Sequence, residues 1–282
     1  MELPTFETIP RAVAVDLDGT LLNSQARLSE RSRAAVLACV GQGIPVVVAT
    51  SRPARTLLRA IGDDLARTCS LVIMNGASGQ AAPPLSGAFR ETIATEVARG
   101  VVEVLTELEP KVRLTLELEG WEFGANWAAD AETLWERNAA TPDMVVSVEE
   151  ALARGPAKIV ASRGGADVSD LAAGLSRKYG EAVSVLSSDG MAFLYVLSGR
   201  TSKSAALRRL LRSRGIPLAD VLAFGDDIPD IDMLTSCGTA VAVANAVPEV
   251  QAVCEYATAG NDDDGVAVVL ERMLEATAEG QV

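Results

Sequence analysis

The residues best suited to chemistry close a short apolar run: Ala12-Val13-Ala14-Val15 is followed by Asp16-Leu17-Asp18-Gly19-Thr20. A buried strand that stops in two carboxylates one residue apart brings both acids to the edge of a sheet, and strand alternation turns them to one face. Two carboxylates that close repel each other, so one keeps its proton or a cation lies between them. Asp-Gly-Thr alone is also an ordinary turn, and the metal reading therefore needs support from the rest of the chain.

Four further apolar runs supply it. Residues 45–49 end at Thr50 and Ser51, residues 71–74 at Asn75, residues 221–224 at Gly225-Asp226-Asp227, and residues 240–244 at Asn245. Unbroken apolar runs of this length predict strands buried on both faces, and their alternation with helices predicts a doubly wound parallel α/β sheet. Ligands of such sheets lie beyond the carboxyl ends of the strands. Asp16, Thr50, Asn75, Asp226 and Asn245 are thus expected to converge on one crevice.

Composition narrows the chemistry. None of the 282 residues is histidine, which removes Ser-His and Cys-His catalysis and His-ligated zinc. Carboxylates and lysine must do the work. The four cysteines show no Cys-x-x-Cys spacing and stand in or beside apolar stretches, which predicts buried free thiols. With 25 basic and 38 acidic residues the formal charge is −13, a field that disfavours nucleic acid and anionic membrane as partners. It also repels phosphorylated substrates, so a site for one needs local cations. The N-terminal MELPTFETIPR lacks the basic and apolar regions of a signal peptide, and no stretch reaches membrane-spanning length. The chain reads as soluble and cytoplasmic.

Helices are predicted over residues 27–41, with Ala34, Leu37, Ala38 and Gly41 on the buried face, and over 54–66, opened by Pro53. Between the third and fourth apolar runs the pattern changes: 81–87 reads as a linker, a helix follows over 91–107, and alternating strand patterns come next. Residues 83–190 are read as an α+β domain inserted into a core formed by 1–82 and 191–282. Trp121, Trp127 and Trp135 are expected to pack inside it. Beyond it, Thr201 or Ser202 caps a helix whose first turn holds Lys203, a cation placed against the helix dipole and hence a candidate functional group.

Taken together, DLDGTLLNS, VVVATSRP, the lysine of SGRTSKSAAL and GDDIPDIDML resemble, in this order and over nearly the whole chain, the haloacid dehalogenase superfamily. More narrowly, they resemble its Cof-type phosphatases, with an α/β cap between the second and third motifs. MNGA, VANAVPEV and NDDDGVAVVL are weaker family-like stretches. The resemblance implies that Asp16 attacks phosphorus and becomes an aspartyl phosphate, and that Asp18 serves as acid and then base. It implies Mg²⁺ held by Asp16, the Asp18 backbone carbonyl and Asp226, with Asp230 in or next to that set; Mn²⁺ suits the same oxygens. Thr50, Ser51, Arg52, Lys203, Asn75 and Asn245 are the expected phosphate-binding residues. The implied substrate is a small phosphorylated metabolite, foremost a sugar phosphate. A phosphosugar mutase and a weakly active phosphosugar-binding or regulatory protein are the alternatives. Three positions depart from the family pattern: Pro229 stands where Asn is usual, and Ser51 and Ser204 where Gly is common.

Overall fold

The computed structural model describes residues 2–188 and 192–279. The chain begins with β1 (Ala12–Val15), α1 (Glu30–Gly41), β2 (Val46–Ala49), α2 (Ala54–Ile61), α3 (Asp63–Thr68), β3 (Ser70–Ile73), β4 (Ser78–Gln80) and β5 (Ala88–Arg90). It continues through α4 (Thr95–Leu108), β6 (Arg113–Glu117), β7 (Phe123–Ala125), α5 (Ala131–Asn138), β8 (Val145–Val146), α6 (Val148–Arg154), β9 (Lys158–Ser162), α7 (Ser169–Tyr179), β10 (Val183–Ser188) and β11 (Phe193–Ser198). It closes with α8 (Lys203–Leu211), β12 (Val221–Gly225), α9 (Ile231–Ser236), β13 (Thr239–Ala242), α10 (Pro248–Val253), β14 (Tyr256–Ala257) and α11 (Gly265–Glu279).

The first sheet has the order β14-β13-β12-β1-β2-β3-β4-β5. From β14 to β3 every pairing is parallel, and β4 and β5 add an antiparallel hairpin. The α/β expectation holds for the parallel part, whose order is that of a doubly wound nucleotide-binding sheet. Its strand order reverses between β1 and β12, so the crevice opens where those two strands end. Both are fully buried, β1 a run of Ala and Val and β12 a run of Val, Leu, Ala and Phe closing on Gly225.

Two helix expectations need correction. α1 buries Ser32, Ala35, Val36 and Cys39, while Ala34, Leu37, Ala38 and Gly41 face outward. The buried face includes a serine, satisfied through Asp264, so hydrophobicity alone sets the helical phase wrongly. The helix predicted over 54–66 is two helices, broken at Gly62, whose φ of 81° lies in the left-handed region that glycine tolerates. The cysteines are free, with Cys39, Cys69 and Cys254 buried and Cys237 half-buried.

The second sheet has the order β10-β11-β9-β6-β7-β8. One face, including Leu114, Leu116, Ile159, Ala161, Leu194 and Val196, makes a core with α4, α6 and α7. The other face turns to the first domain, and Tyr195 and Val160 join that domain's apolar cluster. The insert begins later than residue 83, because 81–87 is the turn of the β4–β5 hairpin, which belongs to the first sheet. The boundary drawn between 190 and 191 lies outside the described residues; β11, which follows it, is still part of the second sheet. Of the three tryptophans only Trp127 is packed inside the insert, stacked on Phe123 at 6.0 Å. Trp121 and Trp135 are exposed. Among the described residues no helix is long and apolar enough to cross a membrane.

Candidate active site

β1 delivers Asp16 to the strand-order reversal, where its N–H donates to Phe224 on β12 and extends the strand pairing by one bond. The next residues turn sharply. Gly19 has φ 77°, and a Cβ there would run into the Asp226 carboxylate. Only glycine permits so close an approach. Asn245 holds the turn from outside, donating to Gly19 O at 2.7 Å and accepting from Asn261 N at 2.9 Å. Thr20 donates from Oγ1 to Asp226 Oδ1 at 2.7 Å.

Across the crevice, Ser202 caps α8 and so places Lys203 as its first residue. Lys203 Nζ donates to Asp16 Oδ1 and to Asp230 Oδ1, each at 2.5 Å, in a setting where all three side chains are buried. Asp230 Oδ2 accepts the N–H groups of Asp226 and Asp227 at 3.1 and 3.2 Å, folding the loop after β12 around its carboxylate. A Cβ on Gly225 would lie 2.6 Å from Asp230 Cβ, another approach that needs glycine.

One lysine thus faces three acids. Carboxylate oxygens of Asp16, Asp226 and Asp230 lie within 4.8 Å of one another. Burial raises the Asp16 carboxyl well above the carboxylate range, with Asp230 adding to the effect and Lys203 opposing it. Burial also pushes Asp226 up to about 7, against the bond from Thr20. Burial disfavours the charge on Lys203, but Asp16 and Asp230 outweigh it and raise its pKa. The excess negative charge and the all-oxygen donor set fit a hard divalent cation such as Mg²⁺ or Mn²⁺.

The cavity over this cluster measures about 430 Å³. Among the predicted site residues, Asp16, Asp18, Ser51, Arg52, Lys203, Asp226 and Asp230 line it. Thr50 is buried behind them and accepts the Arg52 N–H at 3.1 Å. Arg52 grips the Asp18 carboxylate with two bonds, 2.8 Å from Nε and 2.5 Å from Nη2. Asp18 therefore stands apart from the three-acid cluster, and the guanidinium expected on phosphate rests on a carboxylate. Like Thr50, Asn75 and Asn245 stand outside the lining of the cavity, and the buried Asn75 Nδ2 has no hydrogen-bond partner among the described residues. Asn245 is used on the Gly19 turn, and buried Asn75 accepts from Lys158 Nζ at 2.9 Å. Pro229 lines the cavity within the turn Ile228–Asp230.

Sequence reasoning missed the residues that the inserted domain contributes. Lys158, at the start of β9, donates to Ser51 O at 2.9 Å as well as to Asn75 and lies 3.6 Å from the Tyr195 ring centroid. Tyr195 lines the cavity. Arg55 on α2 makes a buried bidentate pair with Glu117 on β6, both bonds 2.7 Å, and donates to the carbonyls of Asn138 and Trp121. These contacts fasten the second domain over the first. A lysine opening an otherwise apolar strand is the one local signal that pointed to any of them.

The sequence profile of the haloacid dehalogenase-like hydrolases matches residues 13–270. Phosphatase YwpJ of Bacillus subtilis is 28% identical over 288 residues, covering 94% of this chain and all of that protein. A phosphoglycolate phosphatase of Methanothermobacter thermautotrophicus is 26% identical over 264 residues, covering 94% of this chain and 99% of its own. The solved structure of a haloacid dehalogenase-like hydrolase from Bacteroides thetaiotaomicron superposes with a TM-score of 0.76 at 23% identity, over 94% of this chain and 99% of the other.

Proposed function

The chain belongs to the haloacid dehalogenase-like hydrolases and is a phosphatase among them, and on that premise we propose that it is a Mg²⁺-dependent phosphomonoesterase. Its substrate is a small phosphorylated metabolite, foremost a sugar phosphate, and its route passes through a phosphorylated Asp16. The observation that carries this reading is the Asp16 carboxylate itself: buried in the cavity, with Oδ1 fixed by Lys203 and a second acid two residues on. Asp16 Oδ2 accepts no hydrogen bond from the described residues, which leaves it as the attacking oxygen.

In the first step Asp16 Oδ2 bonds to phosphorus, the bond to the leaving oxygen breaks, and Asp18 gives that oxygen a proton. In the second step Asp18 takes a proton from water, the water oxygen bonds to phosphorus, and inorganic phosphate leaves a regenerated carboxylate. Asp18 exchanges protons only when the Arg52 fork opens. The arriving phosphoryl group, itself an anion, offers Arg52 another partner and so couples substrate entry to release of the acid. Lys203 would meet charge on the phosphoryl oxygens with a fixed donor, and Thr50, behind the wall, holds the backbone of Arg52. Mg²⁺ held by Asp16, Asp226 and Asp230, with the Asp18 carbonyl, would supply further charge stabilisation there. Asp230 also holds the loop that Pro229 interrupts, so the usual Asn is not needed for the loop's shape.

The test is inorganic phosphate release from a panel of phosphorylated sugars and acids, with and without Mg²⁺. Metal-dependent release that disappears in the Asp16→Asn protein supports the assignment. Release that persists in folded Asp16→Asn protein overturns it.

A further inference from the structure

A second cavity of about 540 Å³ lies on the face of the second sheet that turns to the crevice. A smaller space of about 210 Å³ joins the two, sharing Ser51, Arg52 and Tyr195 with the catalytic cavity and Glu117, Val160 and Phe193 with the outer one. Through these shared walls the three lie side by side, leading away from Asp16.

Strand register fixes what lines its outer end. Tyr195 pairs with Val160, and Phe193, two residues farther out, pairs with Ser162. Arg113 pairs with Ser162 from the other side. Phe193 therefore lies about 7 Å beyond Tyr195 along the strand, and Arg113 faces it across β9 at about 10 Å. Phe193 is 37% exposed, a large apolar residue set on the cavity wall instead of in a core. Opposite it, the Arg113 guanidinium lies 5.0 Å from the Trp127 ring centroid, and Trp127 is held by a bond from Nε1 to Thr115 Oγ1.

Charge points the same way. Among the described residues neither Arg113 nor Arg137, both on this cavity, has a carboxylate partner. Among the described residues the one acid lining it, Glu117, is neutralised by Arg55. A locally cationic cavity in a chain of charge −13 attracts an anion that the rest of the surface repels. The exposed ring favours a flat partner.

We propose that the substrate's leaving group extends into this outer cavity and ends in a flat ring bearing an anionic substituent, with the ring against Phe193 and the anion at Arg113 and Arg137. The inference rests on the phosphatase reading above and narrows it, within sugar phosphates, to those whose sugar carries such a ring.

Three probes separate the parts: ribose 5-phosphate has no ring, uridine 5′-monophosphate has a ring, and orotidine 5′-monophosphate has the same ring with a carboxylate. The expected kcat/KM rises about tenfold at each addition, the size of one stacking contact and of one charged hydrogen bond. Arg113→Gln should reduce the orotidine-to-uridine ratio to near one, and Phe193→Ala the uridine-to-ribose ratio. Arg177→Gln, on exposed α7 surface, should change neither. A flat or reversed series, or an unchanged ratio in Arg113→Gln, overturns the proposal. Calorimetric binding of the same three compounds to Asp16→Asn protein decides the cavity without turnover, so failure of the phosphatase reading stays separate from failure of this one.

Discussion

Replacing Asp226 by Asn should make the metal-free protein more stable at pH 8. Asp226 is pushed up to about 7 by burial, with Asp230 and Asp227 adding to it, whereas in the unfolded chain it titrates near 3.9. Between these values the folded state holds a proton that the unfolded state has lost, so this group lowers stability as pH rises from about 4 to about 7 and keeps the full penalty above that. A shift of about three units corresponds to roughly 4 kcal/mol. Asp226 is partly open to solvent, which reduces the expected effect to about 2–4 kcal/mol. Asn keeps the bond from Thr20 Oγ1 and removes the charge. Urea unfolding in EDTA at pH 8 should show Asp226→Asn above the parent by that margin, with the gap closing towards pH 4. Adding Mg²⁺ should stabilise the parent by RT ln(1 + [Mg²⁺]/Kd) and leave the variant nearly unmoved. An Asp226→Asn protein less stable than the parent in EDTA at pH 8, or equally stabilised by Mg²⁺, would refute the argument that these acids are held against their own repulsion for a cation.

Two further perturbations test other parts. Arg55→Met strands the buried Glu117 carboxylate between the domains and should cost about 3–5 kcal/mol in urea unfolding, much of it restored by adding Glu117→Leu; a loss below about 0.5 kcal/mol would show that the pair does not fasten the domains. Pro229→Asn adds a carboxamide at the cavity wall and should raise kcat for phosphate release if the proline weakens the site. An unchanged kcat, from a parent already fast, would assign the missing asparagine's part to another group.

The parallel strands were legible because burial on both faces leaves uninterrupted Ala, Val and Leu runs, and their ends were legible because polar residues interrupt those runs abruptly. The β4–β5 hairpin was not, since Ser78–Gln80 and Ala88–Arg90 are too short and too polar to show a period. The phase of α1 was lost because Ser32, bonded to Asp264, occupies a buried position. In the site, Asp16, Asp18, Lys203, Asp226 and Asp230 announced themselves by order and spacing. Lys158 did not, because its meaning lies in a bond to Ser51, 107 residues away. Asn75 and Asn245 show that a polar residue at a strand end serves a ligand or the protein: Asn245 is bonded to Gly19 and Asn261, whereas Asn75 accepts from Lys158 and leaves its Nδ2 without a partner among the described residues.

The central claim is that phosphate passes through Asp16, and the most direct measurement is borohydride trapping during turnover, which reduces an acyl phosphate to an alcohol. Peptide mass spectrometry should then find homoserine at position 16, only when substrate and Mg²⁺ are both present and never in Asp16→Asn protein. Aspartate intact at position 16 through trapped, active turnover, or homoserine at Asp18 instead, would contradict the account.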